Sequence, residues 1–188
     1  MTQKKQPDFL DLAKTRKTTY EFSEKPVDEK DIEKILEAAR WAPSSHNSQP
    51  WSFILIKNKK TIEKILDSCY YGFFRNSPSL MVAIVMEPIY VNENALLRGN
   101  LKKFADTHKY MNMAFPVSNM LHEATSLGIS SGVVSPIAKE VNNVLKVPSE
   151  KEVPLIICLG YEKKNAYHKK RQRKKLDNIV YYEVYKKG

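Results

Sequence analysis

The sequence predicts a mixed fold, α+β or α/β, in which helices wrap around a sheet. Residues 80–87 (LMVAIVME) and 154–162 (PLIICLGYE) are continuous apolar runs, which are typical of strands covered on both faces. Amphipathic helical patterns lie around these runs, and the connections differ in length. Such uneven connections favour a sheet wrapped by helices over a strictly alternating doubly wound sheet.

The N-terminal part of the chain is predicted to contain two helices. A short one covers residues 7–16. The second begins after Asp28, a suitable N-cap with acidic residues in the next turn, and its apolar stripe continues to Trp41. We expect Trp41 to anchor the end of this helix in the core. The helix ends there because the residue before Pro43 is pushed out of the helical region.

The middle of the chain is predicted to contain one more strand, besides that of residues 80–87, and three helices. The strand covers residues 52–58, and the helices cover residues 61–71, 95–104 and 107–128. Pro116 lies inside the last of these patterns and predicts a kink or a broken first turn.

The C-terminal part adds one helix and one strand. Ser135 is the predicted N-cap of the helix, and Pro136 is its predicted first residue. Residues 179–185 (IVYYEVY) are predicted to close the chain as a strand. The sequence thus predicts at least four strands and five or six helices.

Length and composition indicate a single domain over residues 1–188. Hydrophobic residues make up 42% and charged residues 28%, as in soluble globular proteins, and no apolar run approaches the roughly 20 residues of a membrane span. The N-terminal segment lacks the apolar region of a secretory signal. Cys69 and Cys158 lie in apolar surroundings, which favours buried free thiols and a cytoplasmic location over a disulfide.

Most of the net charge of +10 comes from one basic stretch. Residues 163–175 contain eight Lys or Arg and no acidic residue. A run of this kind is compatible with nucleic-acid binding, but it lacks the interleaved aromatic residues that such binding favours. A solvated basic connection or a local anion site is the better interpretation.

Several common site motifs are absent from the sequence. The six glycines form neither G-x-G-x-x-G nor G-x-x-x-x-G-K-S/T, so there is neither a Rossmann fingerprint nor a Walker A loop. The four histidines and two cysteines lack zinc-ligand spacing, so no metal site is predicted. Ser45 and His46 lack the G-x-S-x-G context of a hydrolase nucleophile.

Three polar segments remain as candidate binding elements: RKTTY (16–20), PSSHN (43–47) and KKRQRK (169–174). The first and third carry Arg, Lys and Thr side chains, which bind phosphate through charge-assisted hydrogen bonds. In the second, small side chains leave backbone amides accessible to the polar edge of a flat heterocycle. Together they match the needs of a mononucleotide cofactor, although each segment taken singly is also what a solvated surface or a plain turn contains.

These segments resemble the N-terminal signature of the FMN-dependent nitroreductase family. RKTTYEF is similar to the family's Arg–basic–Ser–x–basic–x–Phe pattern, and APSSHNSQPW (42–51) is similar to its A-P-S-x-x-N-x-Q-P-W stretch. The likeness continues through residues 104–130, 153–162 and 171–183, and so covers nearly the whole chain. It implies an α+β fold with a mainly antiparallel sheet, and an intertwined homodimer with two FMN molecules at the subunit interface.

The resemblance also implies a set of FMN-contacting residues, divided by the part of the cofactor that they would contact. Those for the phosphate and ribityl chain are Arg16, Lys17, Thr18, Arg171 and Arg173. Those for the isoalloxazine ring are Pro43, Ser44, Ser45 and Asn47 in the other subunit, Val133, Val134 and Ser135 near N5, and Tyr20 near N1 and O2.

The reaction implied by the resemblance belongs to the flavin. NAD(P)H would give a hydride to N5 and leave, and a nitroaromatic, quinone or similar small acceptor would then take the electrons in ping-pong turnover. No side chain would be needed as a catalytic acid or base, and residues 87–104 would shape the acceptor pocket. The alternative is a flavin-binding redox module with weak turnover and a macromolecular partner.

Three positions depart from the family pattern. Tyr20 replaces a Lys or Arg that would stabilise the anionic reduced flavin, which implies a lower reduction potential. Ser135 and Pro136 replace a Glu-Gly pair, which removes an acid near the active face. Lys175 replaces the proline of the C-terminal motif.

Overall fold

The computed structural model describes residues 8–70, 76–87 and 101–185, with the backbone alone for residues 101–106. The helices in these ranges are α1 (Phe9–Thr15), α2 (Glu29–Arg40), α3 (Lys59–Asp67), α4 (Leu101–Ser126) and α5 (Ala138–Leu145). The strands are β1 (Trp51–Ile56), β2 (Leu80–Met86), β3 (Ser130–Val134) and β4 (Glu152–Gly160). Two short 3-10 turns cover Ser45–Asn47 and Leu176–Asn178.

The four strands form one antiparallel sheet in the order β1-β2-β4-β3. Every residue of β2 is buried, which confirms the prediction of a central strand covered on both faces. Alternate residues of β2 and β4 belong to two core clusters, one shared with α2 and α4 and the other with α3 and α5. Since successive side chains of a strand point to opposite faces, these helix pairs cover the two faces of the sheet. The α+β prediction of a sheet wrapped by helices is confirmed.

Helix α2 begins as predicted but leaves Trp41 outside the core. The Asp28 carboxylate accepts a hydrogen bond from the Lys30 N–H at 2.9 Å and caps the helix. The expectation that Trp41 is buried is wrong, because its side chain is 74% exposed. Trp41 lies two positions beyond Ala39, or about 200° further around the helix, and so faces away from the buried stripe. Its indole N–H donates to the Glu37 carboxylate at 2.7 Å instead.

Helix α4 runs without interruption through Pro116, so the predicted broken first turn is wrong. The two helices predicted over residues 95–104 and 107–128 are a single helix from Leu101 onward, and residues 95–100 lie outside the described ranges. A proline removes one helical hydrogen bond, and the buried side chains that follow it, Val117 among them, hold the helix against the sheet. Gly128 ends the helix with φ +73°, as a C′ glycine does.

Strand β3 is the strand that the sequence did not predict. It contains two serines and a glycine (SSGVV), so it lacks the strand propensity of the other three strands. Its pairing with β4, from Ser130 opposite Gly160 to Val134 opposite Ile156, places it at the edge of the sheet. Cross-strand pairing with a neighbour outweighs local propensity here.

Two predictions for the C-terminal part are wrong. Ser135 is not an N-cap, since α5 begins at Ala138 with Ile137 in the cap position, and the Ser135 carbonyl accepts from the Tyr70 N–H. Residues 179–185 form no strand, and all seven are exposed. Aromatic and β-branched residues favour a strand only where a partner strand is available, and in the described ranges this segment pairs with none of the four strands.

The two cysteines are both free, as predicted. Cys158 lies in β4 and is buried, whereas Cys69 is only partly buried. Burial raises the pKa of both thiols, which keeps them protonated near neutral pH. No helix in the described ranges has both the length and the apolar character needed to cross a membrane.

Candidate functional site

The segment after α1 is held at the edge of the sheet. Thr18 forms a parallel bridge with Ser131 of β3, and the Thr19 N–H donates to the Ser131 carbonyl at 2.9 Å. Further along, the Ser23 N–H donates to the Tyr161 carbonyl at 2.8 Å, directly after β4. The chain therefore runs alongside β3 at the first polar segment (residues 16–20) and reaches the end of β4 at Ser23.

The basic stretch after β4 folds back along the same segment. The Lys163 N–H donates to the Glu21 carbonyl at 3.0 Å. Further on, the Arg171 guanidinium donates hydrogen bonds to the backbone carbonyls of Lys14 and Arg16. Arg171 thus binds the C-terminal end of α1, and the structure brings the first and third polar segments together.

These two segments enclose a cavity of ≈ 380 Å³, which we call the anion pocket. Its lining residues are Arg16, Lys17, Thr18, Tyr20, Tyr167, His168, Lys169, Arg171 and Arg173. No acidic residue is among these nine. Five residues assigned to the phosphate and ribityl chain by resemblance, and Tyr20, therefore line one cavity within a single subunit.

Three guanidinium groups meet in the anion pocket without a carboxylate between them. Partial burial lowers the pKa of Arg16, and the positive charges of Arg171 and Arg173 lower it further. Guanidinium groups stay protonated at neutral pH even so. The three groups therefore repel one another, and a bound dianion would relieve that repulsion.

A carboxylate, Glu162, organises one wall of the pocket. Its oxygens accept hydrogen bonds from Lys17 Nζ at 3.2 Å and from Thr19 Oγ1 at 3.1 Å, and Lys17 Nζ also lies 3.0 Å from the second oxygen. His168 Nε2 lies 2.6 Å from the carboxylate and 2.9 Å from Lys17 Nζ. The charge of Lys17 is thus compensated within the chain, whereas none of the three arginines forms an ion pair with a described residue.

The contacts of Glu162 keep it ionised. Burial by itself raises the pKa of Glu162, but the hydrogen bonds from His168 and Lys17 outweigh this and lower it below its ordinary value. Sequence reasoning assigned no role to Glu162 or His168. The one signal was their position, since Glu162 directly follows a predicted buried strand and His168 lies inside the basic run.

The second polar segment lies on a different part of the subunit. Residues 43–47 are absent from the lining of the anion pocket and instead contact α4. The Ser45 N–H donates to the Asn112 side chain at 2.8 Å, and Ser45 Oγ lies 3.2 Å from His108 Nδ1. One subunit therefore does not bring this segment to the other two.

The segment has an unusual backbone. His46, Asn47 and Gln49 have φ values of 53°, 54° and 45°. This left-handed conformation costs roughly 1–2 kcal/mol for most side chains and less for Asn. Strained backbone of this kind persists only where surrounding contacts hold it, and it is concentrated at functional sites.

The prediction of accessible amides in this segment is wrong for Ser45 and Asn47, two of its four residues that have an N–H group. The N–H groups of Ser45, Asn47, Ser48 and Gln49 all donate within the protein. Short side chains do leave a backbone uncovered, but a tight turn uses its own amides to close. Carbonyls and side chains of the segment are also available to a ligand, with Pro43 and Asn47 exposed and Ser44 and Ser45 partly so.

The third group of predicted ring contacts lies on and just after β3. Val133 and Ser135 are exposed, whereas the Val134 side chain is buried in the core and can offer a ligand only its backbone. Alternation along the strand is the reason. Since Thr18 pairs with Ser131 of the same strand, Val133 lies near the first polar segment along the sheet edge. Residues 88–100, most of the segment expected to shape the acceptor pocket, lie outside the described ranges.

Comparison with known proteins shows the family of this chain. Residues 13–161 match the model of the nitroreductase family. A protein of Archaeoglobus fulgidus, provisionally named NADH dehydrogenase/NAD(P)H nitroreductase, is 26% identical over 161 residues, which cover 83% of this chain and 86% of that protein.

Two solved structures share the fold. The nitroreductase family protein from Streptococcus pneumoniae TIGR4 has a TM-score of 0.79 at 24% identity, covering 93% of this chain and 100% of that one. An FMN-dependent nitroreductase from Clostridium difficile R20291 has a TM-score of 0.73 at 23% identity, covering 94% and 99%. With the family model matching most of its length, this chain belongs to the nitroreductase family.

Proposed function

We propose that this protein is an FMN-dependent oxidoreductase that passes electrons from NAD(P)H to a small acceptor such as a nitroaromatic or a quinone. The observation that carries the proposal is the anion pocket, in which Arg16, Arg171 and Arg173 meet with no acidic residue in the lining. Such a donor set fits the phosphate of a mononucleotide, because one guanidinium group can donate two parallel hydrogen bonds to two phosphate oxygens.

The residues around the pocket fit the rest of FMN as well. Thr18 offers a hydroxyl to the ribityl chain, and Tyr20 lines the same cavity as a neutral hydrogen-bonding group for the flavin edge. Lys17, whose charge Glu162 compensates, is better suited to the uncharged ribityl hydroxyls than to the phosphate. When bound, FMN would supply the redox chemistry, accepting a hydride from NAD(P)H and passing the electrons on.

The proposed site needs two subunits. Residues 43–47, the proposed ring contacts, are absent from the anion pocket of their own chain, so a second subunit would have to supply them. Apolar residues left exposed on the single subunit support a homodimer: α1 buries no residue, with Phe9 and Leu10 exposed, and Met111 and Phe115 are exposed on α4. Monomers rarely expose apolar patches of this kind without a partner.

The C-terminal segment fits the same assembly. Residues 179–185 are apolar or aromatic except for Glu183, and all are exposed on the single subunit. A second subunit would give this segment a surface to cover, as expected for intertwined chains.

Anaerobic spectroscopy tests the proposal directly. The purified protein, loaded with FMN, is expected to bleach at the flavin absorbance bands on addition of NADH or NADPH and to recover with a quinone or a nitroaromatic compound. A protein that binds no FMN would overturn the whole proposal. Bound FMN that neither nucleotide reduces would support a flavin-binding module instead.

Removal of one arginine charge is expected to weaken FMN binding through its phosphate alone. Arg173→Gln should raise the Kd for FMN by about 10- to 100-fold, the effect of losing one charged hydrogen bond of about 1.5–3 kcal/mol. Riboflavin, which lacks the phosphate, should bind both proteins equally, as measured by quenching of flavin fluorescence. Lys174→Gln, which removes the same charge beside the pocket, is the matched control. An equal loss of affinity for riboflavin would contradict the assignment of Arg173 to the phosphate.

The contacts of Glu162 with Lys17, Thr19 and His168 predict that the free energy of unfolding depends on pH. Because the pKa of Glu162 is lowered in the folded state, its stabilisation is complete above the pKa of an unfolded glutamate and is lost as the pH falls through the lower folded value. Glu162→Gln should therefore lower the free energy of unfolding by about 1 kcal/mol at pH 6, the upper range for a partly exposed ion pair, and by less near pH 3.

Urea denaturation between pH 3 and pH 6 measures this difference. Glu150→Gln removes an exposed carboxylate and serves as the control. The opposite outcome is that the free energies of unfolding of Glu162→Gln and of the unmodified protein differ by the same amount throughout this range. That result would show that the charge of the carboxylate does not stabilise these contacts.

Tyr20 is expected to set the reduction potential of the bound flavin. Tyr20→Lys places a cation beside the flavin and should raise the two-electron potential by about 30 mV, equivalent to about 1.4 kcal/mol. Tyr20→Phe, which adds no charge, should change it much less. Equilibration with redox dyes gives both values, and an unchanged potential in the lysine variant would place Tyr20 away from the flavin N1 and O2.

A further inference from the structure

Asn112 is a buried polar side chain that the proposed function does not yet use. It lies in α4, is 1% exposed, and is one of three fully buried polar residues in the described part of the chain. Burying an amide costs free energy unless all its groups are paired, so a buried Asn with defined partners has a specific structural task.

Both ends of the Asn112 amide are paired. Its Oδ1 accepts from the Ser45 N–H at 2.8 Å, and its Nδ2 donates to the His108 carbonyl at 2.7 Å. The carbonyl of His108 can only accept, so the amide has one orientation that satisfies both partners. That orientation presents the oxygen to the Ser45 N–H. Helix α4 thereby binds the backbone of the loop of residues 43–47.

The loop that Asn112 contacts is the strained one. Positive φ values at His46, Asn47 and Gln49 directly follow the Ser45 amide. Within the loop, the Gln49 N–H donates to Ser44 Oγ at 3.0 Å, and Asn47 accepts from the Gln49 side chain at 3.3 Å. These bonds close the loop on itself, whereas the bond from Ser45 to Asn112 fixes it to a long helix.

We infer that Asn112 is a positioning residue for flavin binding, which holds residues 43–47 in the conformation that contacts the ring by accepting the Ser45 N–H. This inference rests on the proposed function. Asn112 is not among the residues that line the anion pocket, so its effect on FMN would come through the loop. Because a preformed loop avoids the ordering cost of binding, loss of the bond should appear as loss of flavin affinity.

Replacement of Asn112 tests the inference. Asn112→Leu has similar volume but cannot accept from Ser45, and it should raise the Kd for FMN and for riboflavin by about 10- to 100-fold, the effect expected for one buried hydrogen bond. The absorbance spectrum of any bound flavin should shift toward that of free FMN.

Asn119→Leu is the matched control. Asn119 lies two turns further along α4, and its Nδ2 donates to the Ala38 carbonyl at 2.9 Å, so it also joins this helix to a neighbouring backbone. Its replacement should lower stability and leave the flavin affinity and spectrum unchanged. An equal loss of affinity in both variants would show a general effect of α4 packing and overturn the inference.

Hydrogen exchange without flavin separates this inference from the proposed function. In the flavin-free protein, the Ser45 amide should exchange at least about 10-fold faster in Asn112→Leu than in the unmodified protein. Unchanged exchange would overturn the inference whether or not FMN binds, whereas failure of the unmodified protein to bind FMN would overturn the proposed function. Asn112→Ala gives the same test should the leucine variant not fold.

Discussion

The pairing of β4 with β2 on one side and β3 on the other is the interaction on which the rest of the structure depends. β4 joins the buried central strand to the edge strand, so both core clusters contain its residues. Its last residue leads directly into Tyr161 and Glu162, which bind the segment after α1. The register of β4 therefore sets where the two basic segments meet, and a shift by one residue would turn Glu162 to the other face.

The anion pocket is an arrangement of unfavourable charges held by favourable backbone contacts. Arg171 donates to two backbone carbonyls at the end of α1, and these bonds keep it close to Arg16 in spite of their repulsion. Glu162 compensates Lys17 but does not reach the arginine side of the lining. The result is a site whose charge is balanced on one wall and unbalanced on the other. A site of this kind favours a dianion over a neutral ligand.

The loop of residues 43–47 shows how much of the site could be predicted from the sequence. Its composition correctly marked it as a special segment between α2 and β1, since Pro43 and Pro50, with three serines between them, interrupt the helical pattern. Composition could not show that the amides of Ser45 and Asn47 are used internally, or that Asn112, far along the chain, accepts one of them. Trp41 was misplaced for a different reason, because the helical period already turns it about 200° away from Ala39 and so away from the buried stripe.

Local sequence determined the elements whose signals are local: the Asp28 cap, the Gly128 stop, the buried β2 and β4 strands, and the basic side chains available for an anion. These follow from backbone preferences and from the burial of apolar side chains, which neighbouring residues largely decide. The tertiary structure alone decided that SSGVV is a strand and IVYYEVY is not, and that Glu162, His168 and Lys17 form one cluster. Strand pairing and charge compensation both require a partner distant in the sequence, and only the folded chain supplies it.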